Sequence, residues 1–322
     1  MTLAAPQLSD LLDRLHVVAL PMRVPFRGIT TREVALIDGP AGWGEFGAFL
    51  EYGPAEAARW LAAGIEVAYR PRPKVLRERI PINATVPAIA AAQVPEVLAR
   101  FPGVRTAKVK VAERGQSLAD DVARVNAARA LVPAVRVDAN GGWSVSDAVT
   151  AAGELTADGP LEYLEQPCAT VPELAEVRRR VGVPVAADES IRKADDPLLV
   201  VRSRAADVAV LKVAPLGGVR AMLGIAGQIH IPIVVSSALD SAVGIGAGLI
   251  AAACLPGLPY ACGLGTGGLF VEDVAEPVVP VDGYLPVAMV KPDPARMAAL
   301  AAPAQRRQWW IERVSDCHAL LS

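Results

Sequence analysis

Five short apolar runs in the middle of this chain each carry a charge where a buried strand should have none. They read TAKVKVAE with Lys108 and Lys110, VRVDAN with Asp138, LEYLEQP with Glu165, VAADES with Asp188 and AVLKVAP with Lys212. An unpaired charge inside a hydrophobic strand costs on the order of several kcal/mol or more. The fold must therefore bring these groups together, so that acids, lysines and whatever they bind compensate one another.

The runs belong to a longer repeat. Stretches rich in β-branched residues centre near Asn83, Lys108, Asp138, Glu165, Asp188, Lys212, Ser236 and Cys262, spaced 23 to 30 residues apart. A period of this length with one strand and one helix per unit is the mark of parallel βαβ units, and eight such strands close a barrel. Between them Leu118, Val122, Val125 and Leu131 predict a helix over 117–131, and Leu174, Val177 and Val181 another over 171–181. A third helix, 144–155, opens on Ser144 as N-cap, with Asp147 completing a variant of the capping box.

Residues before about 80 leave the repeat. REVALIDG and AGWGEFGAF predict an antiparallel hairpin, with Gly42, Gly44 and Gly47 serving turn and loop, because the βα setting of a phosphate-binding loop is missing. PAEAARWLAAGIEVAY predicts a helix, as does AQRRQWWIERVSD near the other end. The expected organisation is α/β: residues 1–80 begin an α+β capping domain, 81–273 form the (β/α) barrel, and 274–322 return to the cap.

Composition narrows the partners. A net charge of −2 over 322 residues offers no basic footprint for nucleic acid or an anionic membrane surface. The uncharged stretch 241–271 has the length of a membrane span, but Gly244, Gly246, Gly248, Pro256, Gly257, Pro259, Gly263 and Gly265 divide it into a helix of about 14 residues, a turn and a strand. Cys168, Cys254, Cys262 and Cys317 show no paired spacing, and Asp10, Asp13 and Arg14 interrupt the apolar stretch a signal peptide needs, so a cytoplasmic protein is expected. Oligomeric state is left open by the sequence.

In a barrel, charges at the C-terminal ends of different strands converge on one mouth. Asp138, Glu165 and Asp188 are hard oxygen ligands suited to Mg²⁺ or Mn²⁺, and no histidine stands beside them to favour zinc. Lys108 and Lys110 alternate along one strand, so both point into the barrel while Val109 faces the helices. Lys212 approaches from the opposite flank. A metal between two lysine faces suits proton abstraction beside a carboxylate, the metal stabilising the enediolate and a neutral lysine taking the proton. Bringing a lysine from about 10.4 to near 8 requires roughly 3 kcal/mol. Repulsion from Lys108 and the metal is the expected source, with Lys110 as base and Lys108 as its tuner and a contact for the substrate carboxylate. Singly, a strand-end carboxylate is more often a cap or an ion-pair partner, and a KVK triplet is common on exposed strands. The specific signal is their common level in one repeat.

With these motifs the chain resembles the enolase superfamily over nearly its whole length, in the muconate-lactonising-like branch and among the members that form o-succinylbenzoate. The resemblance implies a modified (β/α)₇β TIM barrel with a capping domain built from both chain ends. It places Lys108 and Lys110 on the family's KxK motif, Asp138, Glu165 and Asp188 on its metal ligands, and Lys212 on the lysine of the following strand. Asn140 and Glu189 match polar residues around the metal, and Ser236, Ser237, Gly263 and Gly265 match stretches that contact the distal part of the substrate. The implied reaction is Mg²⁺-dependent loss of water from 2-succinyl-6-hydroxy-2,4-cyclohexadiene-1-carboxylate, a step of menaquinone biosynthesis. Lys110 removes the proton next to the ring carboxylate, and Lys212 stays cationic on the other face. The alternative is racemisation of N-succinylamino acids or a related epimerisation. CGLGTGG carries no acid where dipeptide epimerases have Asp-x-Asp, which disfavours a substrate bearing an ammonium group. Specificity is expected from two capping loops, 25–30 with Phe26 and Arg27, and 46–53.

Overall fold

The computed structural model describes residues 6–26, 28–194 and 196–321. Twelve strands are formed among them: β1 Leu15–Phe26, β2 Ile29–Gly39, β3 Gly42–Phe46, β4 Arg79–Pro81, β5 Ala84–Val86, β6 Thr106–Lys110, β7 Ala134–Asp138, β8 Leu164–Glu165, β9 Val185–Ala187, β10 Val208–Leu211, β11 Ile233–Val235 and β12 Tyr284–Pro286. Strands β1, β2 and β3 make an antiparallel sheet. The helix Pro54–Tyr69 covers it, starting with proline in its first turn, where the missing N–H is not needed. Gly44 and Gly64 allow the two to touch backbone to backbone: a methyl group at Gly44 would come within 2.0 Å of the Gly64 carbonyl oxygen. The helix Ala304–His318 returns to this unit. Trp310 packs edge-on to Phe46 at 5.4 Å and donates to Glu33 Oε2 at 2.9 Å, in a core shared with Trp60, Leu61 and Val314.

Strands β5 to β11 form one curled parallel sheet in sequence order. Alternation sorts its residues onto two faces. Val109, Val137, Leu164, Val185, Ala187, Ala209, Leu211 and Val235 point out, into the core made with the surrounding helices. Tyr163, Ala186, Val208, Val210 and Val234 point in, against Tyr260. The predicted helices fall at Leu118–Arg129, Val145–Thr156 and Val171–Arg180, and Ser144 accepts from the Asp147 amide at 3.2 Å as N-cap.

The expected eighth strand is reduced to two residues. Cys262 bridges Ile82 beside β5 and Gly263 bridges Ser236 beyond β11, so this pair spans the gap between the sheet's edges. Pro256 and Pro259 precede it, and a methyl at Gly263 would stand 2.4 Å from Ser236 Oγ, so strand pairing has little room to extend there. The uncharged stretch forms the helix Ala242–Cys254, and among the described residues no helix is long and apolar enough to cross a membrane.

Gly44→Ala is expected to lower unfolding free energy in urea by about 1–3 kcal/mol, since backbone must move to admit the methyl. Gly153→Ala, on the helix Val145–Thr156 with open space around it, should instead raise it by about 0.5–1 kcal/mol.

Candidate active site

The strand register brings Lys110, Asp138 and Glu165 abreast on β6, β7 and β8, and Asp188 and Lys212 follow directly on β9 and β10. All are buried. Lys110 Nζ lies 2.5 Å from Asp138 Oδ2, 2.8 Å from Asn140 Oδ1 and 5.3 Å from the centre of the Phe26 ring. Lys108 Nζ joins Asp138 Oδ2 at 3.1 Å and Glu165 Oε1 at 2.8 Å. Lys212 Nζ donates to Asp188 Oδ2 at 2.6 Å. Asn140, in the left-handed region at φ 48°, donates to Glu189 Oε1 at 3.1 Å.

These contacts set the charges. Burial works against charge on Lys108, but Glu165 and Asp138 override it and hold its pKa well above the ordinary lysine value. Lys110 goes the other way: burial, helped by Lys108, outweighs the pull of Asp138 and lowers it. Desolvation is therefore the leading cause of that shift, ahead of the cationic repulsion expected from the sequence. Burial also opposes charge on Asp138 and Asp188, yet Lys110 and Lys108 lower the first well below the carboxylate range, and Lys212 and Arg192 lower the second. Burial and then Asp138 push Glu165 up to about 7.

The three carboxylates face cations of the chain itself. Each is occupied by a lysine or by Arg192, and among the described residues no group of three or more acidic, histidine or cysteine side chains is arranged to hold a metal. The donor chemistry nonetheless suits a hard cation. Glu165 Oε2 is buried without a hydrogen-bond partner, the kind of atom a cation would satisfy.

A cavity of about 230 Å³ opens above the cluster. Lys108, Lys110, Asn140, Lys212, Ser236, Ser237 and Gly263 line it from the barrel, and Phe26, Ile29, Phe49 and Glu51 from the cap. Gly265 does not: it lines a separate apolar cavity near Ile82 and Phe101. Arg27 lies outside the described residues.

Sequence reading passed over several groups here. Arg192 donates to Asp188 Oδ1 at 3.1 Å, Glu189 Oε1 at 2.8 Å and the Tyr52 hydroxyl at 3.1 Å. Its place four residues after Asp188 was the available signal. Gln166 accepts from the amides of Asp188 at 3.0 Å and Ser190 at 3.2 Å, fixing the end of β9 from the end of β8. Thr266 meets Ser237 hydroxyl to hydroxyl at 2.7 Å, and Thr85 Oγ1, also on the cavity wall, is buried without a partner.

Comparison with known proteins points one way. A family profile described as enolase C-terminal domain-like matches residues 90–293, and one described as enolase N-terminal domain-like matches residues 17–68. The chain is 76% identical to the o-succinylbenzoate synthase of Mycolicibacterium smegmatis over 321 residues, covering 100% of each. It is 77% identical to that of Mycobacterium leprae over 316 residues, 98% of this chain and 95% of the other. The crystal structure of muconate lactonizing enzyme from Pseudomonas fluorescens complexed with muconolactone superposes with a TM-score of 0.77 at 23% identity, over 90% of this chain and 98% of that one, a likeness of fold.

Proposed function

The chain belongs to the enolase superfamily, and from that premise we propose that it is an o-succinylbenzoate-forming hydro-lyase, acting on 2-succinyl-6-hydroxy-2,4-cyclohexadiene-1-carboxylate. The observation that carries the reading is a single cavity faced by Lys110 from β6 and by Lys212 from beyond β10, four strands away around the sheet. A six-membered ring held between them presents one face to each lysine.

Lys110 is the base. Burial favours its neutral form, and Asp138 and Asn140 aim its nitrogen. It takes the proton from C1, the electron pair left there spreads into the ring carboxylate as an enediolate, and that pair then forms the C1–C6 double bond as the C6–O bond breaks. The same proton returns to the departing hydroxyl, so water leaves and the ring becomes aromatic. Lys108, held cationic between Asp138 and Glu165, gives the substrate carboxylate a fixed positive neighbour. Lys212, tied to Asp188, places its charge against the opposite face. Asp138, Glu165 and Asp188 would hold Mg²⁺ or Mn²⁺, with Asn140 and Glu189 around them, and the cation supplies Lewis-acid stabilisation of charge developing on the carboxylate. The succinyl arm is assigned to the wall of Ser236, Ser237, Gly263 and Thr266, with Thr85 Oγ1 open to a polar atom.

The four cysteines are free thiols, a state that the reducing cytoplasm maintains, and the reading includes that location. The two facing lysines also suit exchange of an α-proton on both faces, and this supports N-succinylamino acid racemisation as a second reading.

Purified protein with Mg²⁺ and freshly generated substrate should form o-succinylbenzoate rapidly, followed by ultraviolet absorbance and mass, and EDTA should stop it. If the substrate survives while deuterium enters N-succinylamino acids, the dehydration reading gives way to the second. Lys110→Ala is expected to lower turnover by at least about 10²-fold with Mg²⁺ affinity nearly unchanged. Near-normal turnover would remove Lys110 from the base role. In the free enzyme kcat/KM should rise with pH as Lys110 loses its proton, with the limb below the ordinary lysine value of 10.5. Lys108→Met removes the repulsion that helps burial lower Lys110, so this limb should move to higher pH in the residual activity.

A further inference from the structure

One buried cation outside the reacting cluster joins the two halves of the cavity wall. Arg32, on β2 of the cap, is 2% exposed. Its Nε donates to the Leu239 carbonyl at 3.1 Å, on the loop after β11. Its Nη2 donates to the Gly47 carbonyl, on the cap loop after β3, and its guanidinium lies 4.6 Å from the centre of the Phe49 ring. Phe49 and Leu239 both line the active cavity, one from each half of the molecule. Leu239 is held at φ 63°, a conformation that costs a residue with a branched side chain on the order of 1–3 kcal/mol and persists only where its surroundings impose it.

Glu45 secures the same loop from the other side. Its Oε2 accepts from the amides of Ser241 at 3.0 Å and Gly244 at 3.2 Å and from the Ser241 hydroxyl, at the start of the 13-residue helix Ala242–Cys254. Asp240 accepts from the Ala238 amide at 3.2 Å, so three ionisable side chains, one basic and two acidic, bracket residues 238–244. Gly47 lies between these two cap side chains: a methyl there would stand 2.9 Å from Arg32 Nη2 and 2.9 Å from Glu45 Oε1.

We propose that Arg32 is a positioning residue for substrate affinity: by gripping Gly47 and Leu239 at once, with Glu45 anchoring the helix behind, it sets the separation of Phe49 and Leu239 across the cavity. The inference rests on the active-site reading above. The hydrogen bonds that aim Lys110 and Lys212 come from Asp138, Asn140 and Asp188, whereas Arg32 holds the wall across the cavity, so its loss falls on the grip on the substrate more than on proton transfer.

The test is Arg32→Lys, which keeps the charge but loses the planar fork that reaches two carbonyls. KM for the dehydration should rise about 10-fold or more while kcat stays within about threefold, and amide deuterium exchange should quicken at 47–51 and 237–244 with the barrel strands unchanged. Gly47→Ala, which displaces the arginine without deleting a polar group, should move KM the same way, and it serves alone if Arg32→Lys does not fold. A KM within twofold of the wild type for the folded variant overturns the proposal, as does faster exchange spread evenly through the strands. If the wild type shows no dehydration, that reading fails by itself, and the exchange pattern still decides the role of Arg32.

Discussion

The structure depends on the mutual neutralisation of charges at the barrel mouth. Lys108, Lys110, Arg192 and Lys212 face Asp138, Glu165, Asp188 and Glu189, nearly all of them out of water. Any one of these alone would cost several kcal/mol or more to bury. Together they are tolerable because strand register places each acid within reach of a base. The backbone accommodates them at some expense, with Asn140 and Gln166 in left-handed conformations at the strand ends. The balance is uneven at one point, Glu165, whose second oxygen has no partner and whose acidity is correspondingly weak.

Burial and the carboxylates around them set two lysines of one strand apart. Lys108 lies deeper, between two carboxylates, and is held charged; Lys110, nearer the mouth, shares Asp138 and is biased toward neutrality by burial. The same residue type is thus held cationic at one position and biased toward neutrality two residues later, the two states that the proposed proton transfer uses. The cap completes the environment. Phe26 lies over Lys110, and Phe49, Ile29 and Glu51 close the cavity from above. Trp310, from near the other end of the chain, packs beneath the same sheet and ties it down through Glu33.

The barrel could be read from the sequence because its rule is local. A period of two on each strand and about 25 residues between strands place Lys110, Asp138, Glu165, Asp188 and Lys212 at one level, with Lys108 one step deeper on the same face, without knowledge of any long-range contact. The shortness of the eighth strand was harder to see, since the crowding at Gly263 comes from Ser236 on the neighbouring turn of the chain. Gly265 sits two residues further on yet faces another cavity, a difference of direction that spacing does not encode.

What the sequence determined by itself, then, is which residue types stand at the strand ends, and with them the chemistry on offer: three hard oxygen donors flanked by amines. Tertiary structure alone decided which of them pair, which are left partly uncompensated and what encloses them. Arg192 meets Tyr52 across 140 residues of chain, and Arg32 meets Leu239 across 207. Such contacts have no periodic signature. They arise where the cap's loops meet the barrel's, and the burial that opposes charge on Lys108, Lys110, Asp138, Glu165 and Asp188 exists only once that meeting has excluded water.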